Sequence, residues 1–356
     1  MRLTVLGAGA VGPAAAVLAV SRGHDATLWS PSGAGTAGLA DAIEAEGALA
    51  GRFPLRVARD LNEALAGADA AFLAVPAYAF PALLPAIAAA LPPCVPLLIA
   101  PAASLAPLAL DAAASRGRGH GGTRAPVGAM QTTPVTARRP APGRVRVAAC
   151  RAAVDVAAVP AGAAGEMGAL ATALFGHAAP ALPNVLAAAL SNANPIIHAA
   201  MALTNATRIE RGESWPQYEM MTEGACRLMD RMAAERDALA AAYGLPVLAL
   251  AESLRRANGV PAGPLHVMGA AVAASRGPVP GPAAMDTRYV TEDVPYGLSA
   301  YLRLAAPRGV APPVTEGVTT ALEAIWGRDL RANPLLDALD LARLDDALRD
   351  GIGRGP

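Results

Sequence analysis

The strongest constraint on this chain lies in its first dozen residues, where Leu3-Thr4-Val5-Leu6 runs directly into Gly7-Ala8-Gly9-Ala10-Val11-Gly12. An apolar strand should end at Gly7, turn tightly, and open a helix through Ala14, Ala15, Ala16, Val17, Leu18 and Ala19. In a G-x-G-x-x-G turn the first glycine permits the bend, the second lets backbone approach a pyrophosphate, and the third lets helix and strand pack closely. The helix start adds unpaired N–H groups and the positive end of a dipole. Strand, glycines and helix in this order predict a Rossmann-type α/β domain with a parallel sheet. Gly7, Gly9, Ala10 and Gly12 are its first candidate cofactor contacts. A glycine-rich turn without a ligand is the alternative.

The end of the second strand bears on which dinucleotide binds. His24-Asp25-Ala26-Thr27-Leu28-Trp29 reads as that strand, closing at Ser30-Pro31-Ser32-Gly33. An acid roughly 20 residues past the glycines holds the ribose 2′-hydroxyl of NAD in such sheets. None stands here, and the nearest later one is Asp41. Ser30 and Ser32 tolerate a 2′-phosphate, although no arginine follows before Arg52. The reading leans to NADP(H) over NAD(H).

With 356 residues the chain can bury a large core in one or two domains. Its formal net charge is zero and no basic run occurs, which argues against a nucleic-acid partner. All 29 basic residues are arginine, so no step can use a lysine amine. Cys94, Cys150 and Cys226 are odd in number and far apart, giving neither a disulfide framework nor a metal site and fitting a reduced, cytoplasmic setting. The chain opens on a strand rather than a signal peptide. Ala70–Ala114 has Asp111 as its one charged residue, yet Pro76, Pro81, Pro85, Pro92, Pro93 and Pro96 cut it into pieces too short to span a membrane.

Strands are expected at 2–7, 25–29, 70–75, 95–100, 126–130 and 145–149, alternating with alanine-rich helices, one of them from Asp60 to Ala68. Pro76-Ala77-Tyr78 follows the third of these strands at its C-terminal end, where ligands bind in such sheets. Ser115–Arg124 reads as a surface loop. From Pro183 the texture turns helical. Glu219–Tyr243 carries an apolar stripe through Met220, Met221, Cys226, Leu228, Met229, Met232, Leu239 and Tyr243. Gly259–Pro282 reads as a flap or a plain connection, and helices resume between Pro313 and Asp350. The expected organisation is a Rossmann domain over 1–182 and a mostly α-helical substrate and catalytic domain over 183–356.

Asn194-Pro195-Ile196-Ile197-His198 looks like a helix start, with Asn194 as cap and Pro195 in the first turn. His198 then sits near the positive dipole end, which disfavours its protonated form, so a proton-cycling histidine here wants a carboxylate partner. A satisfied structural histidine is the alternative. The second dense stretch, Met285 to Leu298, combines several acids and two tyrosines with Arg288, suited to gripping a carboxylate, and closes at Pro295 and Gly297. A polar turn with an Arg–Asp ion pair is the alternative there. Trp215, Tyr218 and Met221 suit a pocket wall or a core equally.

Arg288-Tyr289-x-x-Glu292-Asp293-x-Pro295-Tyr296-Gly297, together with the turn leading to His198, resembles the octopine/nopaline (opine) dehydrogenases. Gln131-Thr132-Thr133-Pro134-Val135-Thr136-Ala137-Arg138 is similar to that family's Glu-Thr-x-Pro-x-x-x-Arg segment. The resemblance implies a Rossmann domain and a helical domain with substrate between them, and an NAD(P)H-dependent reductive condensation of an amino-acid amine with a 2-oxo acid, or its reverse. It implies His198 as the acid/base, Asp293 as its carboxylate partner, and Arg288 as the motif arginine, assigned here to a substrate carboxylate. Thr132, Tyr78 and Gln131 are candidates for the substrate pocket, and Pro76 for the cofactor site. The partners expected are small molecules, not membranes, with a homodimer left open. Two departures stand out: Ala199 follows His198 where the family often has proline, and Gln131 replaces the usual glutamate, which bears on the amine substrate. Ketopantoate reductase, 6-phosphogluconate dehydrogenase and glycerol-3-phosphate dehydrogenase share the broad shape, but those families rely on a catalytic lysine. A non-catalytic nucleotide sensor would keep Gly7–Gly12 and need neither His198 nor Asp293.

Overall fold

A computed structural model describes residues 1–118 and 124–354. Its contacts divide the chain into two compact units, Met1–Ala189 with Ala338–Pro356, and Leu190–Asp337. The strands are β1 Arg2–Leu6, β2 Asp25–Trp29, β3 Ala42–Gly47, β4 Gly51–Pro54, β5 Arg56–Val57, β6 Ala70–Leu73, β7 Leu97–Ile99, β8 Val127–Met130, β9 Val135–Ala141, β10 Arg144–Cys150 and β11 Val156–Val159.

Among the described residues, the first unit holds a seven-stranded sheet in the order β11-β8-β7-β6-β1-β2-β5. All its pairings are parallel except that of β11 with β8. The chain winds outward from β1 to β2 on one side and from β6 to β8 on the other. The switch point therefore lies between β1 and β6, where ligands bind in open α/β sheets. The helix Val11–Ser21 that follows β1 is buried from Gly12 through Ala19, so its small side chains let it lie close against the sheet.

One expected strand sits elsewhere than anticipated. Residues 145–149 fall in β10, which belongs to a second sheet, β4-β3-β10-β9, and β11 takes the outer place in the main sheet. The pattern explains the exchange. In β10, Val145 and Val147 are buried while Arg144 and Arg146 are exposed, the alternation of a one-sided sheet. In β11 every residue from Val156 to Val159 is buried. The Ser115–Arg124 loop is also corrected in its first part, because the helix Ala106–Arg118 runs through it. Residues 119–123 lie outside the described residues.

The expected division at 182/183 differs from the observed one. The first unit continues through Ala189 and regains the chain from Ala338 onward. Asp111 explains the return. Its carboxylate is 2% exposed and receives the Arg354 guanidinium twice, at 2.7 and 2.8 Å, and the Ile352 N–H at 3.2 Å. Arg354 also donates to the carbonyls of Arg124 and Ala125.

The second unit is helical, chiefly Asn194–Thr204, Glu223–Ala242, Leu250–Asn258, Leu265–Arg276 and Pro313–Trp326. Asn194 is the first residue of its helix rather than the cap; the Asn192 side chain accepts its N–H at 3.1 Å. The helix expected from Glu219 begins at Glu223, because the Thr222 hydroxyl caps it and leaves Met220 and Met221 outside. Its buried stripe, Cys226, Met229, Met232 and Leu239, is core, as are Trp215 and Met221. The stretch Gly259–Pro282 is no flap: the helix Leu265–Arg276 occupies its centre and buries Leu265, Met268, Gly269 and Val272. Among the described residues, Val185–Thr204 alone is long and apolar enough to cross a membrane, and 83% of that window is buried in the fold.

Candidate active site

At the switch point, Gly7 adopts a φ of +128° and lies so near β6 that a Cβ would strike the Ala74 carbonyl. A Cβ on Gly12 would collide with the Gly7 carbonyl oxygen. Both glycines are thus demanded by backbone packing. Gly9 differs: a Cβ there would meet nothing within 4 Å. That open space, beside a helix whose cap Ala10 leaves the first N–H groups without a side-chain acceptor, fits a dinucleotide's pyrophosphate. Arg139 from β9 donates to the Ala8 carbonyl at 2.7 Å and holds the loop from outside.

The remaining candidates of the first unit divide by exposure. Ser30 is buried, and its hydroxyl accepts the Gly35 N–H at 3.2 Å, so it builds the turn after β2; Ser32 is exposed. A Cβ on Gly35 would approach Ala8 to 2.8 Å, which brings that turn down onto the glycine loop. Pro76 leads from β6 into a turn over Ala77–Ala79, on which Tyr78 is 54% exposed. Gln131 and Thr132 follow β8 at the same end of the sheet. Gln131 is buried with its N–H on the Asp155 carbonyl at 2.9 Å, and Thr132 is half-buried.

In the second unit the structure joins His198 and Asp293, 95 residues apart, with Nδ1 2.7 Å from Oδ2. Their side chains are 14% and 7% exposed, so the pair is sheltered, the imidazole less completely than the carboxylate. Two contacts explain the meeting. A Cβ on Gly297 would collide with the Pro195 ring, so only glycine lets the π-turn Val294–Leu298 settle on the first turn of the His198 helix. Asn333 donates to the Pro295 carbonyl at 2.9 Å and fixes the turn from its other side.

Arg288 opens the short helix Arg288–Thr291, is half exposed, and has Nε 3.5 Å from Glu292 Oε2. Tyr289, next to it, stacks on the His198 ring at 3.7 Å between centroids and 6° between planes. Burial raises the Tyr296 phenol above its ordinary range, with Glu292 adding to the effect. Burial likewise raises Tyr301 beyond that range, helped by Asp293 and opposed by Arg236. These phenols stay protonated near neutrality.

Tyr289 was visible within its motif but had no role there. Gln217, which accepts the Tyr289 hydroxyl, left no sequence signal, because its partner lies 72 residues away. Arg139 was missed beside Arg138, which is exposed.

Comparison with known proteins points to one group of dehydrogenases. Residues 181–326 match the α-helical domain of NAD/NADP octopine/nopaline dehydrogenases. A curated opine dehydrogenase of Arthrobacter sp. (strain 1C) is 29% identical over 343 residues, covering 92% of this chain and 91% of that protein. Through its helical domain, and along most of its length in the curated relative, the chain is similar to the octopine/nopaline (opine) dehydrogenases. It is accordingly an NAD(P)-dependent oxidoreductase. Residues 2–101 match the N-terminal part of NAD-dependent glycerol-3-phosphate dehydrogenases. In fold the chain is similar to an octopine dehydrogenase solved with NADH and L-arginine, at a TM-score of 0.74 and 16% identity over 98% of both chains. A ketopantoate reductase from Ralstonia eutropha JMP134 follows at 0.61 and 17% identity, over 92% of this chain and 99% of that one.

Proposed function

We propose that the protein is an opine dehydrogenase, which condenses the amine of an amino acid with a 2-oxo acid and reduces the product to a secondary amine, or runs the reverse oxidation, with His198 as the acid/base. The observation that carries this reading is the 2.7 Å contact between His198 Nδ1 and Asp293 Oδ2. A carboxylate on Nδ1 fixes the tautomer, stabilises the imidazolium and assigns proton exchange to Nε2.

Condensation needs an unprotonated amine and a leaving hydroxyl. Nε2 of His198 takes a proton from the substrate ammonium, and the amine attacks the oxo-acid carbonyl. The same nitrogen returns a proton to the departing hydroxyl, so water leaves and a protonated imine remains. Bound NAD(P)H supplies the hydride that reduces the imine carbon. Arg288 grips the oxo-acid carboxylate through its exposed half while Glu292 braces it from behind. Gly7, Gly9, Ala10 and Gly12 take the cofactor phosphates. Pro76 and the Ser30–Ser32 turn border the rest of the cofactor, and the missing acid after β2 favours NADPH. Within the first unit, Thr132, Tyr78 and the uncharged Gln131 are the candidate substrate contacts. A cytoplasmic setting suits the free thiols of Cys94 and Cys150.

A 2-oxo acid reductase of the ketopantoate type is the second reading, favoured by the fold likeness alone. It must work without a lysine, since all 29 basic residues are arginine. Oxidation of NADPH by pyruvate or 2-oxoglutarate, with and without amino acids, separates the two: dependence on the amine supports the condensation, and oxidation by the oxo acid alone supports the reductase.

A further inference from the structure

Resting on the reading of His198 as the acid/base, we propose that Tyr289 and Gln217 clamp the His198 imidazole in its working plane, making Tyr289 a positioning residue for the reaction. Asp293 fixes only one point of the ring. The imidazole can still swing about its χ2 axis, a broad two-fold torsion with no sharp preferred angle. A flat partner over its face removes that freedom, and Tyr289 lies over it at 3.7 Å and 6°.

The clamp is itself braced. Tyr289 donates its backbone N–H to the Thr287 hydroxyl at 3.3 Å and its phenol O–H to Gln217 Oε1. Gln217 is 7% exposed, and its own N–H is held by the Val279 carbonyl at 2.8 Å. Trp215, two residues before, is tied to the Pro282 carbonyl at 2.8 Å. Rigidity therefore passes from a buried strap of the second unit, through a phenol, to one imidazole.

The stack also acts electrostatically. The face of an aromatic ring is negative, so it attracts the imidazolium more than the neutral imidazole. Donation of the phenol proton to an amide oxygen enriches that face further.

The test compares Tyr289→Leu, Tyr289→Phe and Gln217→Leu, assayed with NADPH, pyruvate and whichever common amino acid supports the fastest wild-type oxidation. Loss of the ring should lower kcat about ten- to a hundredfold, while KM for pyruvate and Kd for NADPH stay within about twofold. Tyr289→Phe keeps the stack and should lose only about threefold, with Gln217→Leu similar. By NMR, the His198 ring protons should be shielded by the phenol in the wild type and in Tyr289→Phe, and lose that shielding in Tyr289→Leu. Should Tyr289→Leu fail to fold, the Phe and Gln217 variants and their His198 signals decide. Unchanged kcat in Tyr289→Leu, an equal loss in Leu and Phe, or a rise in KM alone overturns the clamp. A wild-type protein that turns over no amine and oxo-acid pair overturns the functional reading itself, and the role of Tyr289 with it.

Discussion

His198 and Asp293 make distinct demands on substitution. Replacing His198 with Ala removes the proton carrier and should lower kcat about 10²- to 10⁴-fold. Because the nucleotide loop belongs to the other unit, Kd for NADPH measured by fluorescence should be unaffected. Asp293→Asn keeps the shape but can present the wrong hydrogen-bond partner to Nδ1, so its loss should also fall in kcat. Parallel loss of kcat and NADPH affinity in either variant would point to unfolding instead. At this scale the sequence was informative where chemistry is local. The glycine loop and the turn before His198 are recognisable because each function sits within a dozen residues. The His198–Tyr289 stack, by contrast, joins positions brought together only by the fold, and neither residue type announces a face-to-face partner.

Elements explain why the site holds its shape. A Cβ at Gly297 would drive into Pro195, so Gly297→Ala must push the Val294–Leu298 turn off the His198 helix. Overpacking of this kind costs roughly 1–3 kcal/mol. A lower thermal midpoint together with a lower kcat is the expected outcome, and an unaltered midpoint would mean that the turn has room to shift. Most parallel strands were legible because short, largely apolar runs bounded by prolines and glycines have few other uses. The second sheet was not, since β3 and β4 carry the mixed residues Ala42-Ile43-Glu44-Ala45-Glu46-Gly47 and Gly51-Arg52-Phe53-Pro54. Such segments become strands only through pairing with β10 and with each other. The helix Leu265–Arg276 was hidden for another reason: prolines and glycines crowd both its ends, and read together they suggested a loop.

For the whole molecule, stability should depend on two buried charge-bearing features. Removing Arg354 leaves the Asp111 carboxylate buried with its main partner gone, and breaking such a pair costs about 3–5 kcal/mol. Arg354→Ala should therefore melt well below the wild type, and a shift under a degree would show that the C-terminal segment is dispensable. His177 sets a pH dependence. It is 3% exposed and its Nδ1–H donates to the Ala178 carbonyl at 3.0 Å, while Nε2 has no hydrogen-bond partner among the described residues. Burial, assisted by Arg22, holds its pKa below the ordinary value of 6.5. An unfolded chain binds this proton near pH 6.5 and the folded one only at lower pH, so its stabilising contribution is complete above pH 6.5 and is lost as pH falls through the folded value. Between pH 7.5 and 5 the wild type should lose more thermal stability than a His177→Gln variant; equal slopes would contradict the assignment. The central claim, however, concerns chemistry. It is tested most directly by following the absorbance of NADPH with pyruvate and a panel of amino acids. Oxidation that requires both an amine and the oxo acid, and that disappears in His198→Ala, is the result expected here. Oxidation by the oxo acid alone, or undiminished turnover in His198→Ala, would contradict it.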